Sequence, residues 1–479
     1  MEEHGFQPDF PPEVGQQLSQ ILNNSDASHL VDGFRDLRSL LWSSIDNDTS
    51  RDLDQIEVAE RLTDGRIKVL VGIADVDWLV AKATPIDLHA AVEGTTVYTG
   101  VENFSMLPEQ LSTGLTSLLE EQDRRAIIIE FAVDADGGLS SFDLYPALVR
   151  NRAQLTYNAV GGWLGNGSAA PPKVGASSEL QVQLRLQDEC AQALKKARER
   201  RGALNIDTAE VRPLLVDQKV VNLVQDEKNR ATDLIEDFMI AANETVAQKL
   251  ESVSSIRRVV KTPERWDRIV ALAAAHGGNL PAQPDAKALN DFLLKRKAVD
   301  PDHFPDVSLT VIKLMGPGEY ILERPGDPDQ GHFGLAVQDY THSTAPNRRY
   351  ADLVTQRIIK AMWSGNSAVY SDTELADVAR VCTLREDAAR KVEREMRKRI
   401  AAVAMSDRIG QTFDAIVTGV NDHGTFIRVL QPHVEGMLVQ GHGLDVGDRV
   451  KAELVRTDPN RGYIDFARVS QAPNQSLGR

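Results

Sequence analysis

The sequence predicts an α+β protein that ends in a small β-barrel, and three observations carry that expectation. Alternating apolar and polar runs crowd residues 66–150, apolar residues recur at helical spacing in long stretches between 179 and 408, and five short alternating runs return within residues 411–468. At 479 residues the chain exceeds one ordinary domain. A hydrophobic fraction of 42% and a charged fraction of 26% are those of a folded globular protein. No run approaches the ~18 apolar residues of a membrane span, and the start, MEEHGFQPDFPPEV, lacks the basic and apolar segments of an export signal. Cys190 and Cys382 are the only cysteines, which excludes a disulfide framework and a cysteine-based zinc site and makes the reducing cytoplasm the expected compartment.

In chain order, a polar, proline-marked lead precedes VGQQLSQIL, whose apolar spacing is helical. After the turn signal Asp64-Gly65, the alternation Ile67, Val69, Val71, Ile73 predicts a strand running toward Asp75 and Asp77. AIIIEFAV and LSSFDLYPALV form a strand pair around a turn at residues 134–138. Residues 161–178, dense in Gly, Ser and Pro, read as a loop. Two long helices are expected over 179–201 and 227–252, short helices over 262–297, and an amphipathic helix over 350–363. A long helix starts at the capping box Ser371/Glu374, runs to about Arg408 and stops at Gly410. The five final strands make an OB-type barrel, in which Phe413, Phe426, Tyr463 and Phe466 beside Arg428, Arg456 and Arg461 offer stacking surfaces and cations for a single strand, with at least two of the four rings needed for the core.

The candidate chemistry lies in residues 45–55, IDNDTSRDLDQ, where Asp46, Asp48, Asp52 and Asp54 fall within nine positions. Oxygen clusters of this kind suit magnesium, although a solvated acidic turn has the same composition. EF-hand spacing from Asp46 to Glu57 is excluded by Arg51, which stands where that loop needs glycine for its sharp turn. A net charge of −16 argues against nonspecific coating of nucleic acid, yet LKKARERR at 194–201 and RKVEREMRKR at 390–399 are locally basic.

Five stretches together resemble the RNase II (RNB) family of exoribonucleases: RDLRSLLWSSIDNDTSRDLDQ from Arg35, VGIADVDWLV from Val71, SMLPEQLSTGLTSL from Ser105, LIEDFMIAAN from Leu234 and HFGLAVQDYTHSTAPNRRYADLVTQR from His332. They occur in the family's order. The resemblance implies a short, partly helical segment at 1–34, an RNB catalytic domain at 35–408 with a β core wrapped by helices around an RNA channel, an S1-type OB-fold barrel at 410–470 and a tail at 471–479. It implies processive 3′-to-5′ hydrolysis of single-stranded RNA to nucleoside 5′-monophosphates, with Mg²⁺ as cofactor and Mn²⁺ as a substitute, by a protein that works as a monomer without an obligate protein partner. Asp46, Asp52 and Asp54 match the family's catalytic, metal-holding aspartates. Tyr157 matches an active-site tyrosine, Glu236 an RNA-contacting glutamate, and Arg348 the arginine that stabilises the reacting phosphate. His332 and His342 read as structural.

Three departures from the family pattern qualify these expectations. Gln55 stands where the family usually has a fourth aspartate. Ile206 stands where a phenylalanine can stack on terminal bases opposite a tyrosine, here Tyr98, so the substrate clamp loses one ring. About 34 residues precede Arg35, too few for the paired cold-shock-type barrels of longer members, which need ~60 residues each. Two rival functions follow: an RNA-binding protein of weak or no activity because of Gln55, and a phosphodiesterase acting on DNA or small nucleotides.

Overall fold

The computed structural model describes residues 1–24, 33–206, 211–216, 219–225, 228–365, 369–422 and 424–469. The tail expected at 471–479 lies outside the described residues. A first helix, α1 (Pro12–Asn24), precedes β1 (Arg35–Asp36), β2 (Trp42–Asp46), β3 (Gln55–Arg61) and β4 (Ile67–Ala74). Next come α2 (Pro85–Glu93), the short pair β5 (Val97–Tyr98) and β6 (Asn103–Phe104), and the long hairpin of β7 (Asp123–Val133) and β8 (Leu139–Thr156).

These strands form one sheet in the order β1-β8-β2-β3-β4-β7, and pairing of β7 with β8 closes the hydrogen-bonded circuit. β8 makes the closure possible because its first part pairs antiparallel with β7 from Leu139 to Arg150, and its last part pairs parallel with β2 from Asn151 to Thr156. β4 is buried along almost its whole length, as expected where one face looks into a closed sheet and helices cover the other. Trp42 and Ile56 fill the inside so tightly that a Cβ on Gly72 would lie 3.1 Å from Ile56.

The helical layer follows as α3 (Tyr157–Asn166), α4 (Pro172–Gly175), α5 (Ser178–Arg201), the hairpin β9 (Val211–Val216) and β10 (Lys219–Gln225), and α6 (Arg230–Lys249). The loop expected over 161–178 is corrected here. Its first six residues are helical and a further short helix follows. Gly161 is a point of close approach, since a Cβ there would collide with the side chain of Asn229, the N-cap of α6. Glycine therefore allows α3 to pack on α6 rather than breaking the chain.

β11 (Ser255–Val259), α7 (Trp266–Ala275), α8 (Ala286–Val299), α9 (Phe304–Met315) and β12 (Glu319–Glu323) lead to α10 (Tyr350–Ser364) and the 34-residue α11 (Asp372–Met405). The capping box of α11 forms as expected: Glu374 N donates to Ser371 Oγ and Ser371 N donates to Glu374. The last five strands, β13 (Thr412–Asn421), β14 (Gly424–Val429), β15 (Val434–Val439), β16 (Arg449–Asp458) and β17 (Tyr463–Arg468), close in the order β13-β14-β15-β17-β16. The core of this barrel is continuous with Ile400, Ala402 and Met405 on α11. No helix among the described residues is long and apolar enough to cross a membrane.

Candidate active site

The acidic stretch folds as the end of β2, a loop, and the start of β3. Asp46 is the last residue of β2 and lies beside Thr156 in the parallel register with β8, so Tyr157, the first residue of α3, emerges next to it. The loop is anchored at Leu53, which is fully buried. Leu53 N donates to Ser117 Oγ, Ser117 Oγ donates to the Arg51 carbonyl, and Leu118 N donates to the Leu53 carbonyl. Asp52 and Asp54 flank this anchor and are thereby fixed in direction.

Asp54 is buried. Asn347 N donates to its Oδ1 at 2.9 Å, and Arg348 Nε lies 3.4 Å from its Oδ2. Burial pushes the Asp54 carboxyl up to about 7, against the opposing pull of Arg348 and the Asn347 N–H. Burial likewise raises Asp46 to about 6, opposed by Gln55 and reinforced by the charge of Asp52. Gln55 Nε2 donates to Asp46 Oδ1 at 3.3 Å. Asp46 Oδ2 and Asp54 Oδ2 are buried without a hydrogen-bond partner. These two buried oxygens, with Asp52 near them, are hard donors of the kind that suits a divalent cation, and the three carboxylates are spread wider than 4.8 Å in this structure.

The remaining candidates divide into those the structure brings to this end of the sheet and those it does not. Tyr98 OH donates to Asp52 Oδ2 at 2.8 Å, so its ring borders the acids. Tyr157 is close enough to feel the charges of Asp46 and Arg348, and burial keeps its hydroxyl protonated. Arg348 is presented by a rigid turn: Arg349, half-buried beside it, forks onto Asp352, which also accepts from Ala345 N, while Thr96 N donates to the Arg348 carbonyl. The Arg348 side chain itself remains 44% exposed. Glu236 faces outward from α6 and pairs with Lys228 at 3.0 Å. Ile206 packs against the cluster of Trp266, Ile269 and Phe292. Glu236 forms no hydrogen bond or ion pair with Asp46, Asp52 or Asp54 among the described residues.

His342 and His332 serve the fold. Tyr320 OH meets His342 Nδ1 at 2.7 Å, Leu335 N donates to His332 Nδ1, and burial lowers both imidazoles, His332 to about 4. Arg428, expected to offer a cation to RNA, is corrected: it is buried and forks onto Asp306 of α9. Of the four barrel aromatics, Phe466 is fully buried, Phe413 packs against the core and Tyr463 is exposed.

Sequence reasoning passed over two features. Glu57 is fully buried on β3 and near Asp46, and its one signal is a charged residue inside the apolar run IEVA. The tightest trio of carboxylates among the described residues is elsewhere, Glu323, Asp329 and Asp339, with oxygens within 4.8 Å of one another. There Arg257 donates to Glu323 and Asp329 is exposed to water, while burial and the charge of Asp329 raise Asp339 to about 6.

Comparison with known proteins agrees with this architecture. A family model described as RNB domain matches residues 34–365, and one described as RNase II-type exonuclease C-terminal S1 domain matches residues 411–469. Ribonuclease R of Thermotoga maritima is 29% identical, with 97% of this chain and 68% of that protein aligned. Ribonuclease R 1 of Lactococcus lactis subsp. lactis is 28% identical, with 96% of this chain and 59% of that protein aligned. The chain thus spans 59% to 68% of the length of these relatives. Among solved structures, the apo form of Mycoplasma genitalium RNase R superposes with a TM-score of 0.86 at 22% identity, covering 98% of this chain and 77% of that one. The same protein in complex with ribose methylated single-stranded RNA gives 0.85 at 21%, covering 97% and 76%. These two likenesses establish the fold, and because the RNB match alone runs over more than half of the 479 residues, the chain belongs to the RNB family.

Proposed function

We propose that this chain is a 3′-to-5′ exoribonuclease that hydrolyses single-stranded RNA processively to nucleoside 5′-monophosphates. The observation that carries the reading is that Asp46 Oδ2 and Asp54 Oδ2, at the end of β2 and just before β3, are buried without a hydrogen bond, with Arg348 Nε 3.4 Å from the latter. Family membership supports RNA as the substrate. On this reading Asp46, Asp52 and Asp54 hold the cation, with Mg²⁺ resident and Mn²⁺ a substitute, and the chain acts as a cytoplasmic monomer on single strands.

When bound, a divalent cation supplies an activated water and neutralises charge on the phosphate and the leaving oxygen. The chain's own groups do the rest. Arg348 offers a planar fork of donors to the phosphate oxygens, and its exposed side chain is accessible from solvent. Tyr157 retains its proton and so donates a hydrogen bond rather than acting as a base. Tyr98 fixes one oxygen of Asp52 and presents its ring to a terminal base.

A second reading, an RNA-binding protein of weak activity, is favoured by one observation: Gln55 is neutral and its amide occupies an oxygen of Asp46. One experiment separates these readings. End-labelled RNA and DNA oligonucleotides are incubated with the protein and Mg²⁺, and the products are sized. Stepwise loss of nucleotides from the 3′ end of RNA alone supports the exoribonuclease. Binding without cleavage supports the second reading, and cleavage of DNA points to a broader phosphodiesterase.

A further inference from the structure

The buried acids of this protein fall into two groups. Among the described residues, Asp75 pairs with Lys360, Asp87 with Arg357, Asp237 with Arg198, Glu323 with Arg257 and Asp352 with Arg349. Glu93 accepts from Gln7 N, and Asp54 faces Arg348. Glu57 has no such partner. Its side chain is 0% exposed, and neither carboxylate oxygen has a hydrogen bond. Gln187 Nε2 donates only to its backbone carbonyl, at 3.4 Å.

Leaving a buried carboxyl unmatched is among the more costly arrangements a fold can carry, and an apolar side chain of similar volume would remove the cost. The surroundings make the position more specific. In β3 side chains alternate, so Glu57 shares a face with Gln55, whose amide reaches Asp46. Burial raises the Glu57 carboxyl well above the ordinary range, the charge of Asp46 adds to that rise, and Glu57 in turn acts on the Tyr157 hydroxyl. A buried carboxyl without a hydrogen bond of its own thus lies within electrostatic reach of Asp46.

We propose that Glu57 is a fourth acidic group of this cation site, a positioning residue that ionises when a divalent ion binds and so adds negative charge beside Asp46 where Gln55 contributes none. The inference rests on the reading of Asp46, Asp52 and Asp54 as cation ligands. Glu57 touches neither substrate nor phosphate in this scheme. Its role is to deepen the negative potential at Asp46 and thereby raise the affinity for the ion.

The test is made without RNA. The full chain is stripped with EDTA, and Mn²⁺ binding is titrated by the electron paramagnetic resonance signal of the free ion, with thermal unfolding followed on the same samples. Glu57→Gln, nearly isosteric, is expected to weaken Mn²⁺ binding about tenfold, as loss of one nearby charge in a partly desolvated site implies. In the metal-free state it is expected to unfold at about the same temperature, because a neutral amide takes the place of a protonated carboxyl of nearly the same shape. Glu57→Asp, which keeps the charge, should retain most of the affinity. Unchanged Mn²⁺ affinity in Glu57→Gln, with wild type binding the ion, overturns the proposal. So does a metal-free Glu57→Gln that unfolds well below wild type, since that marks a structural carboxyl. Asp46→Asn tests the underlying reading separately: if wild type and Asp46→Asn bind Mn²⁺ equally poorly, the cation site itself is wrong and Glu57 falls with it.

Discussion

Two closed five-stranded circuits in one chain treat buried charge in opposite ways. The C-terminal barrel is filled by Val417, Ile427, Leu454 and Phe466, and its one buried arginine, Arg428, is matched by a bidentate bond to Asp306 on α9. The RNB sheet is equally apolar along its length, but at one end it gathers Asp46, Asp54 and Glu57 below the surface with a single arginine nearby. Matched burial of a charge builds architecture, as at the seam where Arg428 ties the barrel to α9 and to the Asp302 carbonyl before it. Unmatched burial costs stability, and on the proposed reading an ion from outside completes the balance at this strand end.

The comparison breaks most severely if the acids at the strand end prove dispensable. Asp54→Asn is expected to lower hydrolysis by at least ~10³-fold while leaving RNA affinity within about twofold, because phosphate and stacking contacts made elsewhere carry most of the binding. Gel-shift and single-turnover assays on one preparation check both halves. Wild-type turnover in this variant would remove Asp54 from the chemistry.

Arg428→Ala addresses the other circuit. It removes the fork to Asp306 and the bond to the Asp302 carbonyl, and should cost about 1–3 kcal/mol, the usual worth of hydrogen bonds to a charged group that leave one partner unmatched. Because the seam joins barrel to α9, thermal unfolding should split, with the barrel melting first. A single unshifted transition would show that the apolar contact with α11 alone holds the barrel in place.

The contrast also explains what was legible in the sequence. Features encoded locally were read correctly: the alternation of β4, the β7–β8 hairpin, the capping box of α11 and the five barrel strands each depend on residues a few positions apart. The acidic cluster was visible for the same reason. Features that depend on distant packing were hidden. Asn347 and Asp54 meet across 293 positions, and only the family resemblance linked the neighbouring Arg348 to the aspartates. Gly161 looked like a loop residue because its neighbour, Asn229, arrives from another helix. Arg428 looked like an RNA contact because Asp306 is far away in sequence, and Glu57 entered only as the end of the rejected EF-hand spacing because nothing local says which way its side chain points.

Acidity provides a gentler test of the unmatched end. Asp46 and Asp54 are raised above their ordinary 3.8 to about 6 and about 7, so the folded state holds these protons more tightly than the unfolded chain. Their contribution to stability is therefore complete below pH ~3.8 and is lost as pH rises through 6 and 7. A cation must displace the same protons, so Mn²⁺ affinity is expected to rise with pH across that window by up to about tenfold per unit for each proton released. Titrations at pH 5.5, 6.5 and 7.5 check this. A flat profile would mean that the carboxyls are already ionised in the metal-free protein.

The smallest expected effect belongs to Gln55, the neutral member of the strand end. Its amide donates to Asp46 Oδ1, which partly offsets the burial of that carboxyl but also engages an oxygen that a cation would otherwise use. Gln55→Asp replaces a donor by a second negative charge in reach of Asp46. For the metal-free protein this is unfavourable, since two carboxylates then share a buried site and one of them must take up a proton. In the presence of a cation the same change adds attraction. Hence Gln55→Asp should lower the melting temperature in EDTA, raise it in Mg²⁺ relative to EDTA by more than in wild type, and shift the Mg²⁺ titration of hydrolysis to roughly tenfold lower concentration. RNA affinity measured in EDTA should stay the same. If the titration does not move while the metal-free protein is destabilised, position 55 acts only by steadying Asp46. The charge that holds the ion then has to come from the remaining acids, and the double variant Gln55→Asp with Glu57→Gln should bind Mn²⁺ no better than Glu57→Gln alone.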